Sequence, residues 1–63
     1  MRNKKTYTNH KFPNKSIDIF FDDVYGGGTV HQYKDQKSSP QAINLAKKAL
    51  DVFITEIEKE GWK

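Results

Sequence analysis

Along the stretch "SIDIFFDDVY" residues alternate in character: Ile17, Ile19 and Phe21 fall on one side, Asp18, Phe20 and Asp22 on the other. Alternation with a period of two predicts a strand with one buried face. Downstream, "TVHQYK" is rich in β-branched and aromatic residues and predicts a second strand. Upstream, "KKTYTNHKF" predicts a third, separated from Ile17 by the turn-like "PNKS". Past residue 38 the period lengthens. "SSPQAINLAKKALDVFITEIEKEGW" sets Ala42, Ile43, Ala46, Ala49, Leu50, Phe53 and Ile57 at steps of three and four, with Asn44, Lys47, Lys48, Asp51, Thr55 and Glu58 opposite them. That pattern predicts one amphipathic helix over residues 39–60. Ser39 is placed to cap it, and Pro40 suits the first helical position, where a missing N–H is harmless. At the far end Gly61 suits the left-handed residue of a Schellman motif, which brings Trp62 against Ile57.

The fold class expected from this order is α+β: a three-stranded antiparallel meander packed on one C-terminal helix, β-β-β-α. A single domain over residues 1–63 would comprise a basic N-terminal arm at 1–5, the meander at 6–35 and the helix at 39–60.

The glycines of "YGGGTVHQY" pose a separate question, because glycine-rich loops also cradle phosphates. A phosphate loop needs a strand, the glycines with Lys-Ser/Thr, and then a helix whose N-terminus faces the anion. Here the glycines lead into a strand, no lysine follows them, and the helix begins a dozen residues later. A hairpin between Val24 and Thr29 explains them, since such a turn needs a positive φ and glycine supplies it without strain.

Size changes the picture next. A chain of 63 residues buries only roughly 60% of the surface its unfolded form exposes. Folds this small lean on disulfides, a metal or another subunit. The chain has no cysteine, which removes the disulfide and the Cys-based zinc site. A homodimer or a bound partner is therefore expected. Ile54 and Val52 flank the helix stripe, and at least one of them should stay exposed in a monomer. No apolar run approaches the ~18–20 residues that span a bilayer. The basic N-terminus is followed by no apolar segment of a signal peptide, so a cytoplasmic protein is expected. A start at Met1 and an end two residues past a helix stop fit a complete small gene product, with an excised domain as the alternative.

Net charge is +3, and it is unevenly placed. Residues 1–15 carry Arg2, Lys4, Lys5, Lys11 and Lys15 with no acid, whereas basic and acidic residues nearly balance from Lys34 onward. A basic arm of this kind attracts phosphate backbones or an acidic protein surface, or simply keeps the protein soluble.

Catalytic constellations are not supported. His10 and His31 with Asp22 and Asp23 match no ligand spacing, and the two aspartates would point to opposite faces of a strand. Ser38 and Ser39 are accounted for at the helix start, so no nucleophile triad is suggested. No catalytic residue, metal or cofactor is expected. One surface feature is more informative. If Ile17, Ile19 and Phe21 face the helix, Phe20 faces outward beside His31, with Tyr7, Tyr25 and Tyr33 nearby. An uncovered aromatic patch on a small protein suggests a contact surface.

"FDDVYGG" followed by "SPQAINLAKKALDVFITEIEKEG" resembles the N-terminal core of HicB-family antitoxins over about residues 17–61. Ala42, Ala46, Ala49 and Leu50 reproduce that family's helix rhythm, and Asp23 with Gly26 sits at its strand-ending turn. Tyr25 stands where the family has a turn proline. The resemblance implies a β-β-β-α piece of a partial ribonuclease-H-like fold that binds another protein without catalysis; it does not imply operator binding.

Two functional readings follow. The first is a non-catalytic protein-binding module, antitoxin-like or a phage-type inhibitor, which occupies a toxin or host enzyme through Phe20, Tyr25, His31 and Tyr33. The second is a nucleic-acid-binding module similar to integrase arm-type domains. There Lys4, Lys5, Lys11 and Lys15 would contact phosphates, and Tyr7 or Tyr33 would stack or position. Asp18, Asp22 and Asp23 on or beside the same sheet oppose this second reading.

Overall fold

A computed structural model describes residues 3–63. The chain forms β1 (Asn3–Thr8), β2 (Ser16–Phe21), β3 (Gly28–Tyr33), β4 (Gln41–Leu45) and α1 (Lys47–Lys59). The strands make one sheet in the order β1-β2-β3-β4, and every neighbouring pair is antiparallel. Register explains which face is buried. Ile17 lies between Tyr7 and Gln32, and Ile19 lies between Lys5 and Val30, which in turn faces Ile43. Tyr7, Ile17, Ile19 and Val30 therefore share the helix side and form the core with Leu50, Ile57 and Trp62. Phe21, Leu45, Phe53 and Ile54 pack around them, half-buried. Val52 remains 61% exposed.

The sheet has four strands rather than the three expected, and the meander runs from residue 3 to residue 45. Residues 41–45, assigned from their spacing to the helix, are extended and pair with β3. They satisfy the main-chain groups along the second edge of β3, beside the fully buried Val30. Ser39 and Pro40 consequently belong to the β3–β4 connection. The helix starts eight positions later than expected, with Ala46 as N-cap and no side-chain cap. Asn3, Lys4 and Lys5, expected in a free arm, belong to β1. Met1 and Arg2, the rest of that arm, lie outside the described residues.

The helix stop is as expected. Gly61 has φ +101°, Trp62 N–H donates to the Ile57 carbonyl at 3.1 Å, and Gly61 N–H to that of Glu58 at 3.2 Å. Those are the two bonds of a Schellman motif, and they turn Trp62 back into the core. The chain end is then tied to β1: Thr8 N–H donates to the Lys63 carbonyl at 3.1 Å and Lys63 N–H to that of Thr8 at 2.9 Å. Buried Asn9 completes the joint. Its amide donates to the Glu60 carbonyl at 3.1 Å, and its side-chain oxygen accepts from Lys11 N–H at 3.0 Å. Phe12, in the β1–β2 loop, stacks on Trp62 with ring centroids 6.3 Å apart.

The helix thus begins beside the end of β4 and finishes beside the end of β1, crossing one face of the sheet. The opposite face carries no covering element among the described residues. None of the described helices is long and apolar enough to cross a membrane.

Candidate interaction surface

The uncovered face is built by the alternate residues of each strand. Lys4, Phe20, Thr29 and Asn44 form one row across the sheet, and Thr6, Asp18, His31 and Ala42 form the next. Thr8, Ser16 and Tyr33 follow. Phe20 and His31 sit diagonally across β2 and β3, ring centroids 5.0 Å apart and tilted by 59°. Tyr33 lies two residues beyond His31 on the same strand, so three of the four expected anchors share this face. Their polar neighbours are paired with one another: Thr6 donates to Asp18 at 2.8 Å and Thr29 to Asn44 at 2.8 Å. Thr6 and Thr29 are thereby paired, whereas the Asp18 carboxylate, with one hydrogen bond, calls for a donor from any partner that covers it.

Tyr25, the fourth anchor, is 85% exposed in the β2–β3 turn. Asp22 builds that turn. Its carboxylate accepts the N–H groups of Val24 and Tyr25 at 2.9 and 3.2 Å, and its carbonyl accepts that of Gly26 at 2.9 Å. Asp22 and Asp23 are therefore turn residues and not the two faces of a strand end. Gly26 has the positive φ, +79°, that the hairpin requires. Gly27 is needed for a different reason: a Cβ there would lie 2.3 Å from the Leu45 carbonyl oxygen. The glycines are a turn seated against the junction of β4 and the helix. Phe20 and Tyr25 line a shallow groove of about 420 Å³ there, together with Thr29, Asn44, Gly27 and Lys47.

Several expected residues are placed elsewhere. Tyr7 is only 2% exposed, in the core, and is unavailable for stacking on a base. Lys5 lies on the helix side with its ammonium 4.7 Å from the Tyr7 ring, and Lys15 sits 5.1 Å from the Phe12 ring. Only Lys4 of the proposed phosphate-binding set is on the open face, while Lys11 and Lys15 are in the β1–β2 loop. Lys4, Lys5, Lys11 and Lys15 therefore do not converge on one surface.

A second groove, about 670 Å³, opens at the other end of the sheet between Lys15, Gln32, Tyr33, Lys34 and Trp62. The β1–β2 and β3–β4 loops meet this end; Lys15 and Lys34 line the groove, and Lys11 and Lys37 belong to the same two loops. Asp35 is the one acidic side chain in those loops. Its carboxyl is held below the ordinary value by hydrogen bonds from the N–H of Lys37, the N–H of Ser38 and the Ser38 hydroxyl. Thr29, Asn44 and Lys47 were not legible as surface neighbours of Phe20. Asn44 reads as the polar side of a helix until β4 is known. Among the described residues no group of three or more His, Cys, Asp or Glu side chains could hold a metal ion.

The fold and this surface define a small α+β protein with a helix on one sheet face and an open, partly aromatic opposite face. The chain matches no protein-family model, and it has no significant match among curated proteins or solved structures.

Proposed function

We propose that this protein is a non-catalytic binding module that occupies the surface of another protein, in the manner of an antitoxin or a phage-type inhibitor. The observation that carries this reading is the uncovered sheet face, with Phe20 diagonal to His31, Tyr33 next along β3 on the same face, and Tyr25 at the turn. Aromatic side chains supply large contact area for little lost rotamer freedom and tend to dominate interface energies. The paired Thr6–Asp18 and Thr29–Asn44 side chains are interleaved with them and offer polar contacts to a partner.

A second reading, nucleic-acid binding, is favoured by the lysines gathered at the β1–β2 and β3–β4 loops. Against it, Asp18 lies within the aromatic face, and the lysines lie at the end of the sheet. One experiment addresses both. The product of the neighbouring gene, purified, is titrated against the wild type, Phe20→Ala and Tyr33→Ala, beside a DNA titration at ~150 mM salt, near physiological ionic strength. Partner binding weakened by ~2 kcal/mol or more in the alanine variants, with folding retained, supports the first reading. Submicromolar, sequence-dependent DNA binding would instead establish the second.

A further inference from the structure

We infer that two copies of this chain pair through β4, antiparallel about a two-fold axis at Ile43, into one continuous eight-stranded sheet. This inference concerns the sheet edge and stands apart from the partner reading of the open face.

The two edges of the sheet are unlike. β1 carries Lys4 and Lys5, and pairing β1 with its copy would bring those like charges together. Edge lysines are a common guard against such pairing. Thr8, at the end of β1, also has both main-chain groups bonded to Lys63, so the edge is partly occupied by the chain itself. β4 has neither protection. Its sequence, Gln41, Ala42, Ile43, Asn44 and Leu45, contains no charge and no proline. Among the described residues, no main-chain hydrogen bond outside the β3 pairing involves residues 41–45. A bare, uncharged edge is a template for another strand.

The occupant that fits is a second copy. A two-fold axis perpendicular to the sheet keeps inner faces with inner faces, and centred on Ile43 it sets Gln41 opposite Leu45 and Ala42 opposite Asn44. No like charges meet. The row Ile19–Val30–Ile43 currently ends at an isoleucine left 36% exposed. In the pair it would run on into the same row of the partner and cover that side chain. The helices do not obstruct this. At about 3.3 Å per residue, Lys47 and its copy fall roughly 26 Å apart at opposite ends of the joint. Each helix then heads toward its own β1. For a chain with so small a core, the added burial supplies the support that disulfides or a metal give elsewhere.

The chain's lack of cysteine makes the test clean. Directly opposed residues of an antiparallel pair have Cα atoms ~4.5–5.5 Å apart, within the ~4.4–6.8 Å that a disulfide spans. Ile43→Cys should cross-link most chains into a disulfide dimer under mild oxidation, while Val52→Cys, on the exposed helix surface, should give only traces. In light scattering the wild type should show twice the 7.3 kDa chain mass. Ile43→Lys and Ile43→Glu should each lose dimerisation, and their equimolar mixture should regain it. Helix content by circular dichroism confirms folding, and if the charged variants unfold, the cysteine pair decides. A wild type that stays monomeric at high micromolar concentration overturns the inference. So does cross-linking at Val52→Cys equal to that at Ile43→Cys, or a folded Ile43→Lys variant that remains dimeric.

Discussion

Asn9 joins the β1–β2 loop to the end of the helix, and removing its side chain tests that joint. Asn9→Ala leaves the Lys11 N–H and the Glu60 carbonyl without the partners found at 3.0 and 3.1 Å. Asn9 is only 2% exposed, so water does not replace both bonds freely. A stranded buried group costs about 1–3 kcal/mol. The two sites here are partly buried, which places the sum near ~2 kcal/mol. At ~0.05–0.15 kcal/mol per residue a chain of this length is stable by roughly 3–9 kcal/mol, so that loss lowers the folded-to-unfolded ratio about thirtyfold. For a domain this small it lowers Tm by about 8–16 °C. Asn9→Asp makes the loss depend on pH. It retains the acceptor for Lys11 but presents a carboxylate to the Glu60 carbonyl, so its folded-state pKa is raised. Its destabilisation should deepen as pH rises through the carboxyl range and ease in acid, where the protonated group can donate. Urea and thermal melts followed by circular dichroism measure both variants. A loss below ~0.5 kcal/mol for Asn9→Ala, the size of an ordinary surface change, would refute the role assigned to the joint.

Two further outcomes are expected. Asp35 should titrate below 3.8, because its bonds from Lys37 and Ser38 favour the charged form; a group depressed in this way stabilises above its unfolded pKa and loses that contribution as pH falls through the folded value. A carboxyl NMR titration with a midpoint at or above 3.8 would contradict it. Gly27→Ala should cost about 1–3 kcal/mol in a denaturant melt, as overpacking does, because the new methyl meets the Leu45 carbonyl oxygen at 2.3 Å; a neutral effect would mean that the turn does not press on the β4–helix junction.

Legibility in the sequence followed how local each determinant was. The alternation of Ile17 and Ile19 sufficed to orient β2, because a period of two leaves one assignment of faces. Gly61 and Trp62 announced their cap because a Schellman motif is specified within six residues. β4 was hidden because Ala42, Ile43 and Ala46 satisfy helical spacing, and Ser39-Pro40 imitates a cap. Only Ile43 in that strand is β-branched. What makes it a strand is the open edge of β3, which lies outside the segment. Tyr7 was misjudged for a similar reason. Its face depends on the β1–β2 register, which places it opposite Ile17, and no pattern within "KKTYT" states that register. The aromatic pair on the open face was readable because Phe20 lies out of phase with the buried isoleucines.

Between Leu45 at the end of β4 and Lys47 at the start of the helix stands a single residue, Ala46. A joint that short acts as a rigid lever. β4 has little side-chain identity of its own to choose a register, and a slip by two residues would preserve its faces. That slip would also carry the helix start by about 7 Å at 3.3 Å per residue, more than the 5.4 Å of one helical turn. Leu50 and Ile57 would then miss their places over Tyr7, Ile19 and Val30. The strand is thus indexed by the helix that follows it, and zipping of the fourth strand and docking of the helix are one event rather than two. Amides in β4 and in the middle of the helix should open together, although one belongs to the last strand of the chain's own sheet and the other lies over the core.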